Sequence, residues 1–556
     1  MNTDRAADFT RRGFLGAAAA TLGAGATAWD ATCLRADDDA IGANSFDVVV
    51  LGGTPGGLAA AVSAAVLGHS VALVESHKHF GGMSASGLGK SDIEHRELIR
   101  GFFGSFVDRV RIHYLKQYGR DSENVKLCRG GYFYEPSVAE RMFHSFIDAP
   151  QPTLNGPKPI ALLPHHRLAG VEVRNNRVIS IRVIDRETER ERRLTGRVFI
   201  DATYGGDLYA RAGAEFRVGR EARDEFGEPH AGHVYLDYNT HQFLPRGTGA
   251  GDKRLTAYTY RLCLTDNPDN AAPLKSPPPG YDRKRYLGYL EDYATGRFGK
   301  DYTAVRIALS IARIPNRKFD VNMNPRSLGF VFVEENAGYI EADWKERENI
   351  CERIRNLTLG LLWFLQNDPD MPSLHRDYAR TLHLPLDEFA DNGHFPFQLY
   401  VREARRLAGE YTLTEHDVAL VPGSKRTGRH DDAIAVGEFP IDSFPVQKRQ
   451  PGDTVVLEGY LGMLREITRP YQIPYRIMIP RKIDGLIVPV AASTTHVAYS
   501  TIRMEPTWMA LGQAAGAAAH VAISGNIEPR AVPIGKVQML LRATSQVIDL
   551  PETPRG

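Results

Sequence analysis

The stretch that decides the fold is Phe46-Asp-Val-Val-Val-Leu-Gly52-Gly-Thr-Pro-Gly-Gly57, together with the later run Val71-Ala-Leu-Val-Glu75. Residues 48–51 are apolar and mostly β-branched, which is typical of a short strand buried on both faces. Gly52 permits a sharp turn after that strand, and Gly57 lets the following helix pack close to it. The order of strand, glycine-rich turn, helix, strand and terminal acid predicts a dinucleotide-binding unit in a parallel sheet.

The turn and the acid have separate predicted roles. Because the helix begins with free N–H groups and the positive end of its dipole, we expect a pyrophosphate to bind over the turn. The predicted contacts are Gly52, Gly53, Thr54, Pro55, Gly56 and Gly57. Thr54 stands where the usual G-x-G-x-x-G pattern has its middle glycine, so its Cβ is a mild obstacle, while its hydroxyl is a candidate donor to phosphate. Glu75 is expected to accept hydrogen bonds from the ribose hydroxyls of an adenosine.

Length and composition exclude some classes of protein. A chain of 556 residues suggests two domains or more. Lys and Arg total 68 and Asp and Glu total 67, without a basic block, so nucleic acid is not an expected partner. The cysteines form neither a C-x-x-C pair nor a metal-like cluster, so we expect no metal site.

The N-terminus predicts export. Thr10-Arg-Arg-Gly-Phe-Leu15 precedes an apolar run of small residues, and this order is typical of a twin-arginine signal. That run is short and rich in Gly and Ala, so we expect no membrane span once the signal is removed. The predicted location is the periplasm or the extracellular space.

Several ordered motifs resemble a family of FAD-dependent oxidoreductases of the two-domain, glutathione-reductase-like FAD-binding type. Some exported bacterial members of this family carry the name xanthan lyase. The resemblance covers about residues 47–522 and rests on the glycine turn and on these segments: Gly81-Gly-Met-Ser-Ala-Ser-Gly87, Tyr134-Glu-Pro-Ser-Val-Ala-Glu140, Asp201-Ala-Thr-Tyr-Gly-Gly-Asp207, Tyr400-Val-Arg-Glu-Ala-Arg-Arg406 and Thr495-His-Val-Ala-Tyr-Ser-Thr-Ile-Arg-Met-Glu-Pro506. It implies noncovalently bound FAD.

The resemblance and the sequence pattern together predict an α/β fold. A discontinuous, Rossmann-like FAD-binding domain with a parallel sheet is interrupted by a mixed α+β substrate domain. The predicted bounds are 1–36 for the signal and linker, 44–215 and 471–530 for the two parts of the FAD-binding domain, 216–470 for the substrate or cap domain, and 531–556 for a C-terminal tail.

The family also implies further cofactor contacts. The loop with Gly81, Gly82, Met83 and Ser84 is expected to follow the ribityl chain and the flavin edge. Asp201, Ala202, Thr203 and Gly205 are expected beside the nucleotide. The helix that begins near Pro506 is expected to point its N-terminus at the flavin, with Glu505 and Gly512 near the cofactor. Plain helix packing explains Gly512 equally well.

The substrate side carries open alternatives. His496 is either a general base, which takes a proton while a hydride passes to flavin N5, or a structural residue. Arg503 either pairs with Glu505 to fix the loop or binds an anion or the flavin. Tyr475 is a candidate to enter the pocket from the second domain. Arg402, Arg405 and Arg406 lie at helical spacing and form either an anion-binding face or an ion-paired one.

These patterns predict an exported FAD-dependent dehydrogenase or oxidase that acts on a small polar organic substrate, and a sugar-derived alcohol is one class. The sequence does not identify the electron acceptor. The oligomeric state stays open. The alternatives are a flavin-dependent lyase or isomerase without net redox change and a non-catalytic FAD-binding protein. A disulfide reductase is disfavoured because a second dinucleotide unit and a redox cysteine pair are missing from the sequence.

Overall fold

A computed structural model describes residues 44–148, 159–299 and 302–550 of the chain. The predicted twin-arginine signal lies outside the described residues. In the described part, no helix is long and apolar enough to cross a membrane.

The central element is a sheet in the order β3-β2-β1-β6-β5-β4, with β20 paired to the end of β6. Its core is parallel, because β1 pairs with β2 and β6, β2 pairs with β3, and β6 pairs with β20 in that sense. The strands are β1 (Ser45–Leu51), β2 (Val71–Val74), β3 (Ile160–Leu163), β4 (His166–Arg174), β5 (Arg177–Asp185), β6 (Glu191–Asp201) and β20 (Leu486–Ile487). The parallel α/β core is confirmed, and β20 makes it discontinuous in sequence. The domain bounds remain predictions.

The antiparallel edge of the sheet is a hairpin, which the alternating apolar residues of segment 171–183 on either side of Asn175-Asn176 predict. β4 and β5 pair with Arg174 opposite Arg177. Asn175 and Asn176 form the turn at φ angles of 49° and 61°. Asparagine tolerates this left-handed conformation better than most residues, which explains the two asparagines at the tip.

Two helices rich in small residues cover one face of the parallel core. Helix α1 (Pro55–Val66) follows the glycine turn, and α13 (Glu505–Gly525) returns near the end of the chain. A Cβ on Gly512 would lie 1.9 Å from the Gly56 carbonyl oxygen. The glycine therefore lets the two helix backbones approach closely, and packing accounts for Gly512.

The segment between β6 and β20 contains the remaining small sheets and most of the other helices. One three-stranded sheet has the order β10-β13-β12, and the other sheets are two-stranded. The strands are β7 (Phe216–Arg217), β8 (Leu236–Asp237), β9 (Gln242–Phe243), β10 (Leu262–Thr265), β11 (Ala271–Ala272), β12 (Leu309–Ile314), β13 (Lys318–Met323), β14 (Leu384–Pro385), β15 (Arg406–Leu407), β16 (Ala433–Gly437), β17 (Ile441–Ser443), β18 (Leu461–Leu464) and β19 (Tyr471–Pro474).

The other helices are α2 (Phe102–Tyr118), α3 (Glu123–Leu127), α4 (Pro136–Ile147), α5 (Asp207–Arg211), α6 (Arg223–Phe226), α7 (Leu287–Thr295), α8 (Ala304–Ala308), α9 (Trp344–Asn367), α10 (Ser373–Ala379), α11 (Glu415–Val418), α12 (His496–Ile502) and α14 (Ile534–Ala543). The sequence predicts a helix over residues 342–366, and α9 corresponds to it.

The structure corrects two local predictions. The sequence pattern predicts a helix over residues 401–410, but this segment is extended and contains β15. Arg402 and Arg406 are buried and Arg405 is half-buried, so the three do not form one solvent-facing helical surface. Ser137 and Glu140 have the spacing that predicts a capping box at the start of a helix. This prediction is wrong, because the Ser137 hydroxyl donates to Glu388 and Glu140 contacts His79.

The contact between α1 and α13 predicts a stability effect. Gly512→Ala should lower stability by about 1–3 kcal/mol, because its methyl group would press on a backbone carbonyl and force the helices apart. Gly535 of α14 has open space around its Cβ position. Gly535→Ala should therefore be neutral or stabilise by up to about 1 kcal/mol through helix propensity. Thermal unfolding of both variants measures the difference, and equal midpoints would contradict the packing role.

Candidate cofactor and active site

A cavity of about 450 Å³ lies at the carboxyl ends of the parallel strands. Gly52 follows β1, Glu75 follows β2, and Thr203 follows β6, and all three line its wall. The opposite wall comes from the inserted segment and includes Leu399 and Val401. Ligands of open α/β sheets bind at this end of the strands, so the location is that of a nucleotide site.

The glycine turn has the geometry that the sequence predicts. Gly52 has a φ of +104°, and a Cβ there would lie 2.6 Å from the backbone of Ala202. At Gly57 a Cβ would lie 1.9 Å from the Gly52 carbonyl oxygen. Both positions therefore require glycine, and Pro55 and Gly56 begin α1 directly behind them.

The structure assigns the Thr54 side chain to the fold. Its hydroxyl accepts a hydrogen bond from the Gly57 N–H at 3.1 Å and donates to the Ala202 carbonyl at 2.9 Å. A threonine hydroxyl has a single proton, so donation to a phosphate is incompatible with this geometry. Thr54 caps α1 and ties the turn to the segment after β6.

Glu75 lies directly beside the turn. One carboxylate oxygen accepts the Gly53 N–H at 2.6 Å, and the other accepts the Ser76 hydroxyl and the His77 N–H at 2.9 and 2.8 Å. Burial raises the pKa of Glu75, while these hydrogen bonds oppose the shift. A carboxylate has about four acceptor sites, and these three hydrogen bonds leave capacity for one ribose hydroxyl.

Asp201 is a backbone cap at the end of β6. One oxygen accepts from the Thr203 N–H and hydroxyl, and the other accepts from the N–H groups of Leu208 and Tyr209. Burial raises its pKa to about 6. Asp201 and Ala202 thus shape the nucleotide loop, while Thr203 and Gly205 line the cavity.

A second loop packs against the turn from the other side. The Gly81 N–H donates to the Gly53 carbonyl at 2.7 Å, and the Met83 N–H donates to the Tyr204 hydroxyl at 3.0 Å. Gly82 and Ser84 belong to the short 3₁₀ helix Gly82–Ala85. These residues are buried beside the turn and do not belong to the cavity wall.

The N-terminus of α13 reaches the same loop through Glu505. The Tyr204 hydroxyl donates to one Glu505 oxygen at 2.9 Å, and burial raises the pKa of Glu505 to about 8. The polar atoms Glu505 Oε2, Ser84 Oγ, Thr507 Oγ1 and Trp508 Nε1 are buried without hydrogen-bond partners. Buried polar groups normally have partners, so a polar ligand at this helix end fits the residues.

His496 belongs to a buried charged network. Its Nδ1 lies 2.7 Å from Glu403 Oε2, and its backbone N–H donates to Glu221 at 2.8 Å. Arg406 binds Glu221 at 3.0 Å and lies 2.9 Å from the other Glu403 oxygen. The network holds the imidazole in one orientation, although His496 is not part of the cavity wall.

Two other predicted residues have different surroundings from those expected. Arg503 does not pair with Glu505; it donates to the Tyr400 hydroxyl at 2.9 Å and to the Asp442 carbonyl at 2.6 Å. These contacts hold Arg503 in place, and its role in the site stays a prediction. The Tyr475 hydroxyl donates to the Pro529 carbonyl at 2.9 Å and is buried, which gives it a structural role and places it outside the His496 network.

The sequence interpretation missed Glu403 as the partner of His496 and Tyr204 as the partner of Glu505. Both lie inside motifs that had been singled out, but their partners are 93 and 301 residues away. Within the described ranges, no group of His, Cys, Asp or Glu side chains is placed to hold a metal ion.

The sheet, the glycine turn, Glu75 and the cavity define a dinucleotide-binding protein of the Rossmann class. The family model of the FAD-dependent oxidoreductases matches residues 47–541. The chain therefore belongs to the FAD-dependent oxidoreductase family, and its cofactor is FAD.

Solved structures show weaker similarity. The myxobacterial chondrochloren halogenase, an FAD-dependent halogenase, is 12% identical, with 90% of this chain and 79% of that chain covered and a TM-score of 0.34. A geranylgeranyl bacteriochlorophyll reductase-like protein from Thermoplasma acidophilum is 12% identical, with 90% and 83% covered and a TM-score of 0.35. The glycerol-3-phosphate dehydrogenase from Bacillus halodurans is 12% identical, with 36% of this chain and 45% of that chain covered and a TM-score of 0.21. No curated protein matches the sequence.

The position of Glu75 predicts its effect on the cofactor. Glu75→Gln should weaken FAD binding at least tenfold, because each hydrogen bond to a charged carboxylate contributes about 1.5–3 kcal/mol. Glu189→Gln, in the exposed turn between β5 and β6, is the matched control and should bind FAD normally. Titration of apoprotein with FAD, followed by flavin fluorescence, measures both. Unchanged affinity in Glu75→Gln would contradict the assignment.

Proposed function

We propose that the protein is a dehydrogenase or oxidase that removes a hydride and a proton from a small polar organic substrate. A sugar-derived alcohol is the first substrate class to test. When bound, FAD supplies the site that accepts the electron pair, which then passes to a separate electron acceptor. The observation that carries the proposal is the buried pair of His496 and Glu403, held beside the segment that lines the cofactor cavity.

The chemistry of the pair supports a base. An ionised carboxylate only accepts hydrogen bonds, so the His496 Nδ1 carries the proton that faces Glu403. The other ring nitrogen, Nε2, then has the lone pair that takes a substrate proton. Arg406 and Glu221 hold this arrangement through Glu403 and the His496 backbone. In this proposal, Glu403 positions the imidazole and stabilises it once it is protonated.

A substrate screen tests the function. Purified holoprotein is mixed anaerobically with sugars, sugar acids and simple alcohols, and the visible flavin absorbance is followed. At least one compound should bleach that absorbance. Product formation without bleaching would instead support a lyase or isomerase. A holoprotein that no compound bleaches or converts would support a non-catalytic role.

The His496 pair predicts a specific kinetic defect. With a substrate from the screen, His496→Gln should retain FAD and slow flavin reduction by about 10²–10⁴-fold, because the proton acceptor is lost. Glu403→Gln should slow it less. His375→Gln is the matched control, since His375 accepts a hydrogen bond from the Ala304 N–H in the inserted segment and touches no part of the network. A near-normal rate in His496→Gln would make His496 structural.

We also propose export by the twin-arginine route to the periplasm or beyond. Arg11→Lys combined with Arg12→Lys should leave the precursor in the cytoplasm, because the translocon recognises the guanidinium pair. Arg5→Lys changes a neighbouring arginine outside the pair and should not affect export. Immunoblots of cell fractions measure the outcome. Mature protein outside the cytoplasm in the double variant would rule out this route.

A further inference from the structure

One buried arginine differs from the others in its partners. Five buried arginines have a carboxylate oxygen within 3.4 Å, namely Arg220, Arg261, Arg347, Arg406 and Arg503. Arg402 is buried as deeply as these, with 1% of its surface exposed. Among residues 44–148, 159–299 and 302–550, it has no ion-pair partner. Its positive charge is therefore compensated differently from that of its neighbours.

Neutral groups hold Arg402 in place. One Nη donates to the Ala257 carbonyl at 3.1 Å, and the other donates to the Thr259 hydroxyl at 3.0 Å and to Asn322 at 3.3 Å. The guanidinium carbon lies 4.0 Å from the ring centre of Tyr400 and 3.5 Å from that of Phe444. The Nε is buried without a hydrogen-bond partner.

These contacts leave the charge of Arg402 without an anionic counterpart. Cation–π contacts and hydrogen bonds to neutral acceptors are attractive but do not neutralise the charge. Removing a charge from water without an ionic partner is costly, which is why buried charges are normally paired. Burial accordingly lowers the pKa of Arg402 to about 9. An anion at the Nε edge would satisfy both the charge and the unpaired donor.

Arg402 lies between the cavity and the start of α13. The preceding residue, Val401, lines the cavity. Tyr400, on which Arg402 stacks, accepts a hydrogen bond from Arg503. Arg503 is two residues before Glu505, the first residue of α13. An anion held by Arg402 would thus be close to the cavity wall, to the start of α13, and to Glu403, the next residue along the chain.

We propose that Arg402 binds an anionic group of the substrate. The substrate is then an organic acid, and a carboxylate is the first anionic group to test. The inference rests on the proposed function, since it names the substrate class for that site. The planar guanidinium matches carboxylate and phosphate oxygens, and its charge-assisted hydrogen bond selects them over neutral groups.

Anion binding to holoprotein tests the inference without turnover. Acetate and inorganic phosphate are titrated at constant ionic strength against chloride, with acetamide as the neutral analogue of acetate. The visible flavin spectrum and the thermal unfolding midpoint are measured. Wild type should respond saturably to acetate, to phosphate or to both, and not to acetamide. The tighter of the two anions identifies the class, and the absence of a saturable response to either anion would overturn the proposal.

Two variants and a control assign the binding to Arg402. Arg402→Gln should weaken anion binding at least tenfold, and Arg402→Lys should weaken it less. Arg109→Gln is the matched control, because Arg109 stacks 3.8 Å from the ring centre of Phe146 and donates to Ser145. Like Arg402, it has no carboxylate partner in the part of the chain that the structure describes. Its anion affinity should equal that of wild type. Unchanged affinity in Arg402→Gln would overturn the assignment.

The outcomes remain separable. FAD content and circular dichroism show whether each variant folds. If Arg402→Gln does not fold, the anion affinity of Arg402→Lys is compared with that of wild type. Equal affinities in that comparison would contradict the proposal. If Arg402 binds anions saturably but no compound reduces the flavin, the proposed oxidoreductase function is contradicted and the anion site at Arg402 is supported. If neutral alcohols alone reduce the flavin and no anion binds, the oxidoreductase function is supported and the anion site is contradicted.

Discussion

Buried charge that must be compensated is the constraint on which the rest of this structure depends. The segment from Tyr400 to Arg406 runs through the interior in an extended conformation, and its charged side chains find partners in different parts of the chain. Arg405 donates to the Gly205 carbonyl and to Asp207 at the cavity rim, at 2.9 and 3.0 Å. Arg406 binds Glu221. Since an unpaired buried charge is costly, the Arg405 contacts hold the inserted segment against the nucleotide-binding part. Glu221, the partner of Arg406, makes a second connection because it also accepts from the His496 N–H.

Close backbone packing sets the other boundary of the site. Gly512 and Gly56 bring α13 against α1, which sets the position of the α13 N-terminus relative to the loop that contains Met83. Tyr204 joins the two, since its hydroxyl accepts from the Met83 N–H and donates to Glu505. Small residues in two helices thereby determine where the polar groups near the cofactor lie.

The predictable part of the site is the part built from neighbours in sequence. The glycine turn and Glu75 were identified from their spacing, and the structure places them together at the strand ends. Spacing does not predict the role of Thr54, because its hydroxyl donates to the Ala202 carbonyl, 148 residues away, and not to a phosphate. Arg503 and Tyr475 likewise take partners that spacing along the chain does not reveal.

The sequence by itself determined the parallel α/β core, the nucleotide turn and the family, because strand period, glycine positions and the terminal acid are local consequences of backbone sterics. Tertiary structure decided that Arg402, Glu403 and Arg406 are buried and that Glu403 holds His496. It also decided that Arg402 has no carboxylate partner among the residues that the structure describes. A run of charged residues at helical spacing looks the same whether it faces water or lies in the interior. The exposed and the buried arrangement are distinguished only by the long-range partners of each charged side chain.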